Sequence, residues 1–184
     1  MNGIVIDILM LIIFAVGLYR AWSGKLFLEI FKMFGVLLST FVTLHYYIAL
    51  GDLLGAKAFL SSEVSELLAY VALAVVVYVL FNLISEAWII VLKVEIPREI
   101  DQWGSAVVSA VRLYFFCGLV FFGFVASHQP FLTKGANSAL TQCFFKRVSV
   151  GTYKNLYALF VAPYFKGEEP NKKVLDLIDA GNES

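Results

Sequence analysis

Residues Tyr19 to Glu29 read YRAWSGKLFLE, and about 20 mostly apolar residues lie on each side of them, the length a helix needs to cross ~30 Å of hydrocarbon. Any fold for this chain has to account for an arginine, a lysine and a glutamate between two apolar runs. The glutamate already stands inside the second run. Ser23, Gly24 and Lys25 supply a turn too short for anything but a reversal. The two runs therefore read as a helical hairpin whose tip is basic.

The composition names the solvent. Hydrophobic residues make up 60% of 184 and charged residues 15%, against ~45–50% hydrophobic in an ordinary soluble chain. Mean hydropathy is +0.82. A soluble domain of this size cannot hide that much apolar surface, so lipid is the expected surroundings. The length allows one domain or at most two small ones. Net charge is zero and no basic block offers itself to nucleic acid. Cys117 and Cys143 do not make a disulfide framework. Neither a C-x-x-C, a zinc spacing nor a haem attachment site is present in the sequence, and no cofactor is expected. The opening MNGIVIDI carries no Lys or Arg ahead of its apolar run, and that run ends in LYRAW rather than a small-residue cleavage site. The first segment therefore reads as a retained span, not a signal peptide.

Four stretches are long enough to cross a membrane: about 4–22, 26–50, 67–92 and 105–126. Helix is the reading for each, because an open strand would leave backbone polar groups unpaired in lipid. The fold class is all-α, an integral membrane four-helix bundle over 1–126. A C-terminal tail, 127–184, is aromatic-rich and amphipathic and ends in a polar segment. In the tail Leu140, Cys143, Phe144 and Val148 follow helical spacing, which suits a helix lying in the membrane interface or one packed on the ends of the bundle. Asn171 to Asp179 reads as a short further helix.

Basic residues set the expected orientation. Arg20, Lys25, Lys93 and Arg98 flank the first and third loops, whereas the second loop holds only Lys57. Short loops rich in Lys and Arg stay cytoplasmic, which places both termini outside. The tail's own basic residues argue the other way, but most lie far from the last span and count less.

Five charges stand inside apolar runs: Asp7, Glu29, Lys32, Glu86 and Arg112. An ionised group at mid-membrane costs ~2.5–3.5 kcal/mol on insertion scales, so each needs a partner or a shallow position. Glu29 and Lys32, at i and i+3, can pair on one helix face. Glu86 and Arg112 lie at a similar depth of ~10 Å on antiparallel neighbours and are expected to pair, with Glu29 as a third member. Asp7 and His45 stand near the opposite surface, where a carboxylate and an imidazole can relay protons or simply sit in the interface. Asn82 is a candidate for hydrogen bonding between helices. Gly35, Ser39 and Thr43 form one stripe of small residues, and Ser105 and Ser109 with Ala106 and Ala110 form another. Such stripes allow close helix approach within the bundle or in a homo-oligomer, and the sequence leaves both open.

The order Asp7, Gly24, Lys25, Glu29, Gly35 and His45-Tyr46-Tyr47 resembles the first half of the CvpA (colicin V production protein) family. DQWGSAVVSAVR, with Asp101, Gly104 and Arg112, looks like that family's pattern before and into its last span. The likeness covers about 1–126. Gly24-Lys25 stands where the family has Arg-Gly, Gln102 replaces an arginine, and Ser109 and Leu113 stand where it favours glycine. The resemblance implies a bacterial inner-membrane protein of four spans with no known catalysis, serving peptide-toxin production or export, or envelope upkeep. It also implies a partner, a membrane or export-machinery protein. The first functional reading is thus a non-enzymatic accessory or scaffold. The alternative is an oligomeric transporter or channel subunit with an ionic route through Glu29, Glu86 and Arg112.

Overall fold

The computed structural model describes residues 3–22, 24–58, 61–92, 97–127, 136, 139–163, 170–172 and 174. Every regular element among them is helical: α1 (Gly3–Ala21), α2 (Leu26–Ala58), α3 (Ser62–Leu92), α4 (Arg98–Ala126) and α5 (Gln142–Leu156), which runs on into a π-helical turn, Tyr157–Val161. The first four helices are long and apolar enough to cross a membrane. The chain is an all-α membrane protein. Its helices also outrun the apolar stretches: α2 continues about two turns beyond Leu50, and α3 and α4 begin at Ser62 and Arg98.

Small residues decide which helices meet. The α2 stripe packs on α3. A Cβ on Gly35 would lie 2.8 Å from Cβ of Phe81, and one on Gly51 only 2.9 Å from the Glu66 Cα. Between these points the Ser39 hydroxyl donates to the Ala74 carbonyl at 3.0 Å. Interhelical bonds of this kind are worth ~0.6–2 kcal/mol in a membrane. The second stripe, on α4, faces α1 and α2, and Ser105 and Ser109 are fully buried there. Both stripes are thus occupied inside one chain.

Helix α4 lies against α1, α2 and α5, whereas its contact with α3 is slight. The two are joined mainly by tyrosines. The Tyr70 hydroxyl donates to the Leu119 carbonyl at 2.6 Å, and Tyr78 packs on Phe116 with ring centroids 5.5 Å apart. Helix α3 is apolar on every side, the pattern expected of a helix bathed in lipid.

Helix α5 packs along the bundle against α4 and α2, not over its ends. A Cβ on Gly118 would meet the Ser149 hydroxyl at 2.9 Å, which puts α5 about 12 Å short of the end of α4. Phe145 joins a cluster with Ile6, Met10, Cys117 and Phe121, and Val150 and Tyr153 join another with Leu44, Tyr47, Tyr70 and Phe122. The packed face therefore runs through Phe145, Ser149, Val150 and Tyr153. Leu140, expected on that face, is 93% exposed because it lies in the turn ahead of the helix. The side chains of Cys143 and Phe144, and most of the Asn171–Asp179 segment, lie outside the described residues.

Candidate functional site

Helix α2 begins at Leu26, so Glu29 falls in its first turn, pointing at α4 rather than at lipid. Its residue is 4% exposed. One carboxylate oxygen, Oε2, accepts a hydrogen bond from the Ser109 hydroxyl at 2.6 Å and lies 2.9 Å from Arg112 Nε. Ser109 and Arg112 are at i and i+3 on α4, which brings both to one acceptor. The Arg112 Nε–H is not directed along this contact, so the pair is an ionic contact rather than a linear hydrogen bond. The other oxygen, Oε1, lies 3.9 Å from Lys32 Nζ, the i, i+3 partner the spacing predicts. Arg112 Nη1 donates to the Tyr78 hydroxyl at 3.2 Å, tying in α3. The cluster thus spans three helices, with Glu29 joining α2 to α4 and Arg112 reaching on to α3.

Glu86 is not part of this cluster, contrary to the expected Glu86–Arg112 pair. Phe81 and Ser85 turn toward α2, and Glu86, one residue and about 100° further round α3, is exposed. Depth alone pointed to Glu86, with Glu29 as a third member. Rotation about the helix axis separated them. Sequence reasoning missed Tyr78, the third-helix member. Its signal was a hydroxyl in the middle of VVVYVL, where a buried tyrosine needs a hydrogen-bond partner.

The first loop is tied down by the start of α4. Asp101 Oδ1 accepts from the Leu26 backbone N–H at 2.6 Å, capping α2 from another helix. Ser105 donates to the Ala21 carbonyl at 3.2 Å, at the end of α1. Gly104 lets Leu26 lie against α4, since a Cβ there would meet Leu26 Cδ2 at 2.9 Å. Trp22 and Trp103 meet edge to face beside it, 5.3 Å between centroids. Gly24 closes the turn by donating to the Ala21 carbonyl, while Lys25 is exposed.

The opposite end is organised by the tail. Asp7 accepts hydrogen bonds from the backbone N–H of Leu140 and Thr141 and from the Thr141 hydroxyl, the last at 2.6 Å. A carboxylate just ahead of α5 also complements its helix dipole. His45 does not meet Asp7. Its Nδ1 is 2.9 Å from the Tyr153 hydroxyl, which also accepts the Asn171 N–H. Among the described residues Asp7 and His45 are engaged separately, Asp7 by the turn ahead of α5 and His45 by Tyr153 of α5, so they form no direct relay.

Two clefts adjoin the ionic cluster. One, of about 480 Å³, is lined by Arg20, Glu29, Lys32, Arg112, Tyr78 and Phe116 among others. The second, about 440 Å³, runs between α3 and α4 and begins at the same Tyr78 and Phe116. No group of His, Cys, Asp and Glu able to hold a metal occurs among the described residues.

No curated protein and no solved structure matches the chain. The sequence pattern described as colicin V production protein matches residues 6–149, from α1 into α5, and so includes Asp7, Glu29, Asp101, Gly104 and Arg112. With four apolar helices and this match over most of its length, the chain belongs to the colicin V production protein family.

Proposed function

We propose that this protein is a non-enzymatic accessory of the bacterial inner membrane, a scaffold for colicin V-like toxin production or export, or for upkeep of the envelope. One observation carries the reading. The embedded carboxylates hold the chain together: Glu29 ties α2 to α4, Asp101 ties α4 to α2 and Asp7 ties α1 to the tail. The alternative, a transporter or channel subunit, loses Glu86 from its ionic route. The cleft that continues from Arg112 toward the other end is lined almost wholly by apolar side chains, which is a poor path for ions. Loops one and three are placed in the cytoplasm and both termini in the periplasm, on the basic residues flanking those loops. The partner is a membrane or export-machinery protein that α5 and the segment after it would meet.

Proteoliposomes holding the purified protein should show no ion or peptide flux above empty vesicles. Flux that disappears in a folded Arg112→Ala variant would replace the scaffold with the transporter. Crosslinking from the tail in cells should capture a membrane protein of the export pathway, and less of it when Asp7→Ala loosens the turn ahead of α5.

A further inference from the structure

The ionic cleft holds more positive charge than its own carboxylate can balance. Among the described residues Arg20, Lys32 and Arg112 face it with Glu29 alone opposing them, an excess of two positive charges. The donors are also incompletely used. Among the described residues, Lys32 Nζ has only its 3.9 Å contact with Glu29, and Arg112 Nη2 has no partner. The Tyr78 hydroxyl accepts from Arg112 and keeps its own proton to donate. Cationic and neutral donors converging on a cleft match a phosphate group.

What lies next to that cleft is apolar. From Tyr78 and Phe116 the second groove follows Val75, Val71, Val120 and Gly123 along α3 and α4. It extends over 116–127 of α4, about 16 Å, comparable to a fatty-acyl chain. Val71 and Val75 are each about half exposed, so the groove opens toward the lipid side. Its gap arises because α3 and α4 touch chiefly through Tyr70 and Tyr78. A free anion would use only the first cleft, and a neutral lipid only the second.

We infer that these two clefts form one site for an anionic phospholipid, with the phosphate among Arg20, Lys32 and Arg112 and one acyl chain in the groove between α3 and α4. This site does not depend on the accessory role, since a transporter with the same geometry would hold the same lipid.

The full-length protein in nanodiscs of phosphatidylcholine doped with phosphatidylglycerol tests it, with retained lipid counted by native mass spectrometry. Phosphatidylglycerol should be retained in preference to phosphatidylcholine. Arg20→Gln and Lys32→Gln should each lower that preference about fivefold, the share expected of one basic residue near an anionic surface. Both positions avoid the buried Arg112, so the variants should fold, and an unchanged melting temperature checks this. Val71→Trp, which fills the groove without touching a charge, should lower retention of both lipids at this site. Equal retention of the two lipids by the native protein would overturn the proposal. So would a preference untouched by both Gln variants, or retention of phosphatidylglycerol untouched by Val71→Trp. Displacement of phosphatidylglycerol by inorganic phosphate alone would point to a free-anion site and also overturn it.

Discussion

Glu29 shows how a membrane chain keeps an ionised group. Its carboxylate is buried to 4% exposure, yet it meets a hydroxyl, a guanidinium and, at longer range, an ammonium. Burying two charges is costly, and a well-packed apolar pair can do as well, so the pair is weak evidence for stability in itself. Breaking it is another matter. Arg112→Leu leaves Glu29 buried without its main counter-charge and should cost about 3–5 kcal/mol. The double variant Glu29→Leu with Arg112→Leu should cost less than the single one. Unfolding in detergent micelles, read as a double-mutant cycle, checks this. Equal losses in the single and double variants would show that Arg112 is held by something other than Glu29. Glu86→Ala, in contrast, should shift stability by no more than about 0.5 kcal/mol, as at an ordinary exposed position.

At the scale of the helix, the recurring device is a carboxylate on one element that satisfies backbone donors at the start of another. Asp101 of α4 caps α2, and Asp7 of α1 holds the backbone ahead of α5. Asp101→Ala should cost about 0.5–2 kcal/mol, the usual loss of a cap. Asp7→Ala should act locally: hydrogen exchange should speed up across α5 while α2 and α3 stay protected. The sequence carried some of this and not the rest. The helices were legible because each apolar run was long and bounded by turn residues. Glu29 with Lys32 was legible because i, i+3 spacing fixes both depth and azimuth on one helix. The partner of Arg112 was not. Depth follows from counting along the chain, but which carboxylate faces the arginine depends on how each helix is rotated, and packing sets that rotation. Gly35 against Phe81 and Gly51 against Glu66 turn the Ser85 face of α3 inward, which swings Glu86 out. Likewise Asp101 lies 75 residues from Leu26, too far along the chain for a cap motif to reveal it.

At the scale of the molecule, the two ends of the bundle are held by different chemistry. Charges, caps and an edge-to-face tryptophan pair hold the end that carries loops one and three. Aromatic packing and the His45–Tyr153–Asn171 chain hold the other end, where α1 begins. Because α5 packs back along α4, its start lies beside the start of α1, where Asp7 meets Thr141. The orientation of the whole chain therefore turns on one choice: which end faces the cytoplasm. Basic residues near short loops weigh most, and Arg20, Lys25, Lys93 and Arg98 flank loops one and three. Lys146 and Arg147 lie about 20 residues beyond α4 and weigh little. A reporter that works only in the periplasm, fused after Ser184, should be active, and the same reporter placed in loop three should be silent. Replacing Arg20 and Lys25 with Gln should weaken that bias, giving a mixed population by the same reporter. An inactive fusion after Ser184, with an active one in loop three, would reverse the assignment. It would put the cationic cleft on the periplasmic side while leaving every contact within the bundle unchanged.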